Sequence, residues 1–511
     1  MTSQERLATW QALDGLSRRH RAFSDAFWAL PEDDLLQIDK VAAALHPDDE
    51  VDSSRFLFDS QSPDMRHRRG GRFEEHESAL REARMKAVEA IQGAQGLDGI
   101  RRLVDSAKES FLVGLALGES SVSFDEQALL ADLDSEDRRR VVFALGFVRA
   151  RANAGDDKWL KDAVGQLRDH PVSQARVLLA SSNLQEAWDQ AHNLGADVED
   201  AYWKEFVHFG RGLDFPLVPE TAKRLLAHNR TADAADLLAL YIDRAEPKLP
   251  AELVAEALAQ LVKGKPENNG GLSSYELNKL LEFLRESELD EDRVAILEWQ
   301  LLPGLGYGAR SPILERRLAR EPAFFVEVLA MCFKRKDGTN EKEPSPEMAQ
   351  NAYRLLDEWR VVPGSVGPGS EVDDATLNEW IVEARRLLAE ADRSDIGDLY
   401  IGHIFAHARE DADGTWPTLP VREAIERLRI DEIDRGMGTE KYNMRGVTSH
   451  GLTEGGKQEF VLADQFEEKA SLVADKWPRT AAILLSLAAG YRAEGRAQDE
   501  EARRFREGLS R

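Results

Sequence analysis

The stretch AKRLLAHNRTADAADLLALYIDRAEPKLPAELVAEALAQLV, from Ala222 to Val262, decides the fold class. It holds three consecutive amphipathic segments in which apolar residues recur three to four positions apart, as they do on one face of a helix. Small residues on these segments permit neighbouring helices to approach closely; they are Ala234, Ala235, Ala255 and Ala259. Strand-like alternation is nearly absent from the whole chain, so the sequence predicts an all-α protein.

The predicted helices are mostly short and are separated by brief turns, a rhythm typical of stacked helical hairpins. We therefore expect an irregular α-solenoid of the tetratricopeptide or HEAT kind. Ser123 with Glu126, and Ser273 with Glu276, have the spacing of capping boxes at helix starts. Residues 484–505, LLSLAAGYRAEGRAQDEEARRF, resemble a tetratricopeptide-type helix pair. An ordinary terminal helical hairpin is the alternative.

Composition shifts along the chain predict its domain organisation. A charged stretch, KRKDGTNEKEPSP from Lys334, and a Gly/Pro-rich stretch from Pro363 to Gly369 mark the main break. The predicted parts are a helical region at 1–120 with a polar loop at 48–73, a central helical array at 121–333, a linker region at 334–372, and a helical region at 373–511 with an ordered loop at 436–459.

Charge and cysteine content exclude several classes of protein. The 511 residues carry a formal net charge of −26, which repels polyanions and anionic membranes. Cys332 is the only cysteine, so neither an internal disulfide nor a thiolate zinc cluster is expected. No signal peptide or bilayer-spanning apolar run is apparent. We expect a cytoplasmic protein that binds neither membranes nor nucleic acids, with Cys332 in its core.

His403 and His407 lie one helical turn apart and are weak candidates for a metal site. In a zinc protease, a glutamate base would follow the first histidine, but Ile404 occupies that position. Asp398 and Glu410 are the nearby carboxylates, and neither spacing is diagnostic. The alternative is a helix with two partly buried histidines.

The densest basic run is RHRRGGR, residues 66–72. It could contact phosphate, and its weak candidate residues for nucleic-acid binding are Arg66, Arg68, Arg69 and Arg72. No aromatic residues for base stacking interleave with it. The alternative is a solvated loop that pairs with nearby acidic helices.

Residues 436–459, GMGTEKYNMRGVTSHGLTEGGKQE, combine many glycines with side chains that a free linker does not need. This mixture predicts an ordered loop with one of two roles. It is either a structural clasp over neighbouring helices or a binding site. The candidate binding residues are Tyr442, Asn443, Arg445, His450 and Lys457.

Several phrases carry a resemblance to a known group of proteins: LEWQLLPGL and LERRLAREPAFFVEVL within 297–329, then YNMRGVTSHGLTEGGKQE and KWPRTAAILLSLAAGY. From Glu74 onward the chain resembles the helical carboxy-terminal regions of large bacterial multidomain proteins, regions that accompany phage-defence or stress-response genes. In those proteins an effector or nucleotide-hydrolysing domain precedes the helices, and we expect none in this chain. The resemblance implies a recognition, scaffold or regulatory part and transfers no catalytic residue.

Taken together, the sequence predicts a cytoplasmic protein-interaction or regulatory scaffold module without catalysis of its own and without a cofactor. Its expected partner is another protein, such as a separate effector subunit. The alternative function is an effector, hydrolase or nucleic-acid-binding protein of a bacterial defence system. That alternative requires a site assembled near His403, His407, Arg445 and His450.

Overall fold

The computed structural model describes residues 1–66, 73–155, 157–207, 213–244, 247–264, 272–306, 308–336, 338, 343–449 and 451–507. Helix makes up 72% of the described residues, and no β-strand occurs among them, so the predicted all-α fold is confirmed. None of the helices described is both long enough and apolar enough to cross a bilayer. By its contacts the chain divides into two compact units, residues 1–212 and 213–511. The four-part division predicted above stays a prediction.

Eleven α-helices are described in the first unit. They are α1 (Ser3–Ala22), α2 (Glu32–Leu45), α3 (Glu50–Ser54), α4 (Phe73–Ser106), α5 (Ser110–Glu119), α6 (Glu126–Ala131), α7 (Arg138–Asn153), α8 (Asp157–Gln166), α9 (Pro171–Leu178), α10 (Leu184–Leu194) and α11 (Ala196–Glu205). Gly96, with a φ angle of 64°, breaks α4 into two helical segments.

The polar loop predicted at 48–73 was only partly correct, because it contains α3 and a 3₁₀ turn at Arg55–Phe58. The Asp49 side chain accepts the backbone N–H of Val51 and so begins α3. Leu57 and Phe58 are buried. The buried Arg84 of α4 donates to the Leu57 carbonyl at 2.8 Å and also to two later carbonyls of the segment. A buried side chain therefore fixes a segment whose composition indicates a loop.

In the first unit, α5 and α7 make a very close contact through two glycines. A Cβ atom on Gly114 would lie 1.9 Å from the carbonyl oxygen of Phe143, and one on Gly146 would lie 2.1 Å from that of Phe111. No side chain fits at these distances, so backbone touches backbone. The side chains around the contact, including the fully buried Phe147, are apolar.

Fourteen α-helices are described in the second unit. They are α12 (Val218–Ala227), α13 (Thr231–Tyr241), α14 (Ala251–Lys263), α15 (Ser274–Arg285), α16 (Glu291–Leu301), α17 (Pro312–Arg320), α18 (Pro322–Cys332), α19 (Pro346–Asp357), α20 (Asp374–Glu390), α21 (Ser394–Phe405), α22 (Leu419–Leu428), α23 (Asp431–Asn443), α24 (Lys457–Val473) and α25 (Pro478–Arg506). Most of them pack on the next helix along the chain.

Within the predicted linker at 334–372, α19 forms a helix whose Leu355 and Leu356 are buried. The Ser345 side chain caps this helix by accepting the backbone N–H of Met348. The stretch is therefore not a linker throughout, because its charged half precedes an ordinary amphipathic helix.

The two predicted capping boxes differ in outcome. Ser273 and Glu276 form the predicted reciprocal hydrogen bonds at the start of α15. At α6 the cap is Asp125, which accepts from the backbone N–H groups of Gln127 and Ala128, so the box predicted from Ser123 was wrong. A carboxylate one residue before the helix can accept both free donors.

Residues 484–505, which resemble a tetratricopeptide-type pair, lie within the single helix α25. Gly495 lies within this helix and in close contact with Gly456, since a Cβ atom on Gly456 would be 2.0 Å from the Gly495 carbonyl oxygen. The helical hairpin at this end of the chain is α24 with α25.

Cys332 ends α18, and its Sγ lies 3.7 Å from the carbonyl oxygen of Ala349 in α19. Burial raises the pKa of the thiol to about 12. The thiolate is therefore scarce at neutral pH. Cys332 is only partly buried, so the prediction of a core thiol is only partly correct.

Candidate functional site

In the second unit, α21 and α23 approach each other through a pair of glycines. A Cβ atom on Gly402 would lie 2.0 Å from the carbonyl oxygen of Ile433, and one on Gly436 would lie 2.0 Å from that of Leu399. As at α5 and α7, only glycine permits this separation. The contact brings side chains next to the glycines within hydrogen-bond reach of each other.

The side chains that meet there are His403 of α21, His407 in the turn that directly follows α21, and Glu440 of α23, here called the histidine–glutamate cluster. Nδ1 of His403 lies 3.3 Å from Oε2 of Glu440, and Nε2 of His407 lies 2.9 Å from Oε1. The exposed fractions of the three side chains are 13%, 6% and 9%. The two predicted histidines thus share a carboxylate from a second helix.

Burial dominates the protonation of the cluster. It lowers the pKa of His403 to about 4, against the opposing influence of Glu440, and it also lowers the pKa of His407. Burial alone would raise the pKa of Glu440, but the hydrogen bond from His407 and the electrostatic influence of the histidines and Arg360 lower it. At neutral pH we therefore assign two neutral imidazoles and one carboxylate.

Sequence spacing suggested the wrong carboxylates for this cluster. Asp398 accepts a hydrogen bond from Nε of Arg385 at 2.9 Å, and Glu410 pairs with Lys469. Glu440 lies 33 residues after His407 and is brought in by helix packing. The available signal was a glycine shortly before each partner, at Gly402 and Gly436, which marks a close helix contact.

The ordered loop predicted at 436–459 was wrong in its first part, because α23 continues to Asn443. Residues 444–456 connect it to α24, which begins at Lys457. Gly436, read from composition as a loop residue, lies against the backbone of Leu399 inside a helix contact. Tyr442 and Asn443 therefore belong to the last turn of a helix.

Arg445 ties the connecting segment to the two helices that follow. Its guanidinium pairs with Glu459 of α24 and lies 3.5 Å from Oε2 of Glu494 of α25. Glu459 is fully buried. Tyr442 donates to the same Glu494 at 2.8 Å and stacks on Tyr491 with ring centroids 5.1 Å apart. These contacts are those that the structural-clasp alternative predicts.

The other predicted binding residues are not part of these contacts. Asn443 and Lys457 are exposed, and His450 lies outside the described residues. Around Glu494 the structure brings together only two of the five candidates, Tyr442 and Arg445.

In the predicted basic run, Arg66 is held by acidic side chains of the first two helices. Its guanidinium lies 2.6 Å from Oδ1 of Asp14 and 3.0 Å from Oδ1 of Asp39. Arg68, Arg69 and Arg72 lie outside the described residues. The contacts of Arg66 agree with the acidic-pairing alternative.

An open groove lies between α23 and α25, with a volume of about 540 Å³. The buried side chains of Ile483 and Leu487 contribute to its lining, together with Gly438, Ser486 and Gly490. A Cβ atom on Gly490 would meet no other atom within 4 Å. The α23–α25 groove is thus lined by apolar and small residues, with the polar side chains of Asp434, Arg435 and Thr439 beside them.

Comparison of the chain with protein-family models, with curated proteins and with solved structures found no match. Inferences about function therefore depend on the contacts described above.

Proposed function

We propose that this chain is a cytoplasmic helical-repeat module that binds another protein, and that the α23–α25 groove receives an amphipathic helix of that partner. The groove is the observation that carries the proposal. Its volume of about 540 Å³ and its partly apolar lining suit the helix-in-groove mode of recognition, in which the apolar face of an amphipathic helix enters a groove between two others.

The residues that border the groove favour a helix over a small molecule as its occupant. Gly438, Ser486 and Gly490 have little or no side chain, so a partner backbone can approach both helices closely. Tyr442, 40% exposed, also lines the groove. Aromatic side chains of this kind often contribute much of the binding energy at interfaces.

The segment that follows α23 adds exposed apolar surface. Val447 is 103% exposed and Leu452 is 70% exposed. Large apolar side chains exposed in one segment favour a binding surface. The net charge of −26 favours a partner with a basic surface, and the resemblance described above suggests a separate effector protein.

The alternative effector or hydrolase function has less support, because its four residues do not share one set of contacts. The histidines pair with Glu440, Arg445 pairs with Glu459, and His450 lies outside the described residues. Nucleic-acid binding is disfavoured by the charge and by the acidic partners of Arg66.

The test is affinity capture from the native host followed by mass spectrometry, with the wild-type chain and two arginine variants. Ser486→Arg fills the groove, whereas Ser471→Arg places the same group on an exposed position of α24. We expect the wild type and Ser471→Arg to retain the same protein and Ser486→Arg to lose it. Circular dichroism of both variants checks that they fold.

Retention of the same protein by Ser486→Arg would exclude the groove as the binding surface. If the wild type captures no protein at all, the interaction function itself is wrong.

A further inference from the structure

We infer that His403, His407 and Glu440 form a binding site for a divalent transition-metal ion of the Zn²⁺ class. One ligand atom from each of the three residues can be chosen so that all lie within 4.8 Å of one another. Two imidazoles and one carboxylate are a donor set that zinc and its neighbours bind. This inference is independent of the proposed interaction function.

The helix contact supplies the geometry. His403 in the last turn of α21 and His407 in the turn that follows it both reach Glu440, and the backbone contacts at Gly402 and Gly436 hold Glu440 of α23 opposite them. The nitrogen-to-oxygen separations of 3.3 Å and 2.9 Å are close to the edge of a zinc tetrahedron, about 3.3 Å for ligand distances of about 2.0 Å. A metal ion bound there would take the place of the His407–Glu440 hydrogen bond and of the His403–Glu440 contact.

Hydrogen bonding within the cluster is incomplete. Nε2 of His403 is buried and has no hydrogen-bond partner among the described residues. This nitrogen is not the one that lies next to Glu440, and an unpaired buried group costs free energy, so the hydrogen bonds of the described residues do not fully satisfy the cluster.

The surroundings define what kind of site this is. Ile404 stands where a zinc protease has its glutamate base, so the arrangement suits a structural or regulatory ion and not hydrolysis. Arg360 and Lys441 act electrostatically on His407 and oppose a second positive charge. With three protein ligands and one formal negative charge, we expect weaker binding than in a closed four-ligand zinc site.

The experiment titrates the full chain, first treated with a chelator, with Zn²⁺ by calorimetry and with Co²⁺ by visible absorption. We expect saturation near one ion per chain and the intense absorption bands of tetrahedral Co²⁺. Glu440→Gln keeps the side-chain shape and removes the charge, and we expect it to weaken Zn²⁺ binding at least about 10-fold. Zn²⁺ should raise the melting temperature of the wild type but not of this variant.

His192→Gln is the matched control. It alters an exposed histidine that pairs with a glutamate, Glu199, at a similar 2.9 Å. Its affinity for Zn²⁺ should equal that of the wild type. The inference would be overturned if the wild type showed no saturable Zn²⁺ binding, or if Glu440→Gln bound Zn²⁺ as tightly as the wild type. If Glu440→Gln fails to fold, the wild-type titration still tests the inference.

Discussion

The α5–α7 and α21–α23 pairs use the same backbone device with different side chains around it. In each pair, each glycine lies against the carbonyl oxygen three residues before the other glycine, as Gly114 does with Phe143 and Gly436 with Leu399. Four residues after the second glycine stands Ala150 in one pair and Glu440 in the other, both buried, at 3% and 7% exposure. Burial and helix geometry are therefore alike, and only the chemistry differs. Close packing alone does not require a glutamate at that position, which points to a separate role for the histidine–glutamate cluster.

The largest loss of stability should come from substituting one of the glycines at which the paired helices touch. Gly436→Ala and Gly146→Ala each force a Cβ atom into a backbone carbonyl that cannot rotate away, and we expect each to lower the free energy of unfolding by about 4 kcal/mol. Urea denaturation followed by circular dichroism measures the loss. A wild-type midpoint for either variant would show that the helices of that pair can separate at little cost.

The helical hairpin of α24 and α25 has a similar glycine contact, in which Gly456 touches the backbone of Gly495. The ion pair between Arg445 and Glu459 lies close to this contact in the chain. Arg445→Ala would leave the fully buried Glu459 without its guanidinium partner. We expect a loss of about 3 kcal/mol in stability and a lower melting temperature. Arg503→Ala removes an exposed ion pair with Glu500 and should change stability by less than about 0.5 kcal/mol. Equal melting temperatures for the two variants would argue against the clasp.

Replacing the histidine–glutamate cluster with apolar side chains makes the α21–α23 contact resemble the α5–α7 contact. Glu440→Ala leaves the buried His407 without its hydrogen-bond acceptor and His403 without its neighbouring carboxylate, and we expect it to cost about 2 kcal/mol. Adding His403→Leu and His407→Leu removes the unpaired groups and should restore most of that loss. Urea denaturation midpoints of the single and triple variants measure the recovery of stability. A triple variant that is less stable than Glu440→Ala would contradict this expectation.

Acid should destabilise the α21–α23 pair more than the α5–α7 pair, because only the former carries the histidine–glutamate cluster. Burial lowers the pKa of His403 to about 4 and also lowers that of His407, so both are neutral in the folded state and take up protons more readily when unfolded. Their contribution to stability is complete above the unfolded pKa of about 6.5 and is lost as the pH falls toward the folded value. The lowered pKa of Glu440 acts in the same direction.

Between about pH 7 and about pH 5.5, we expect the wild type to lose about 1 kcal/mol more stability than the triple variant. Thermal denaturation of both proteins over this range measures the difference. Parallel pH profiles would show that the cluster does not titrate as its burial predicts.

The smallest effect tests whether every glycine of α23 matters. A Cβ atom on Gly438 would come no closer than 4.0 Å to the nearest atom, Cγ2 of Ile483. Gly438→Ala should therefore stabilise the protein by about 0.5–1 kcal/mol through better helix propensity. A destabilised Gly438→Ala in the same denaturation assay would mean that the α23–α25 groove is tighter than described.

The helical period of the apolar residues was sufficient to predict the fold class, and local spacing was sufficient to predict the Ser273 cap. The α23 helix was mistaken for a loop because glycine has a low intrinsic helix propensity, and tertiary contact with Leu399 outweighs that preference. Glu440 was missed because its pairing with the histidines depends on packing between separate helices, which the local spacing around His403 and His407 does not encode.

A lone, poorly ionised thiol makes the natural chain almost a cysteine-free background for labelling. Since the pKa of Cys332 is about 12, a maleimide dye should couple to it slowly at neutral pH and rapidly to a cysteine introduced at an exposed site such as Ser486. Fluorophores or spin labels can then report on the α23–α25 groove without first removing a native residue.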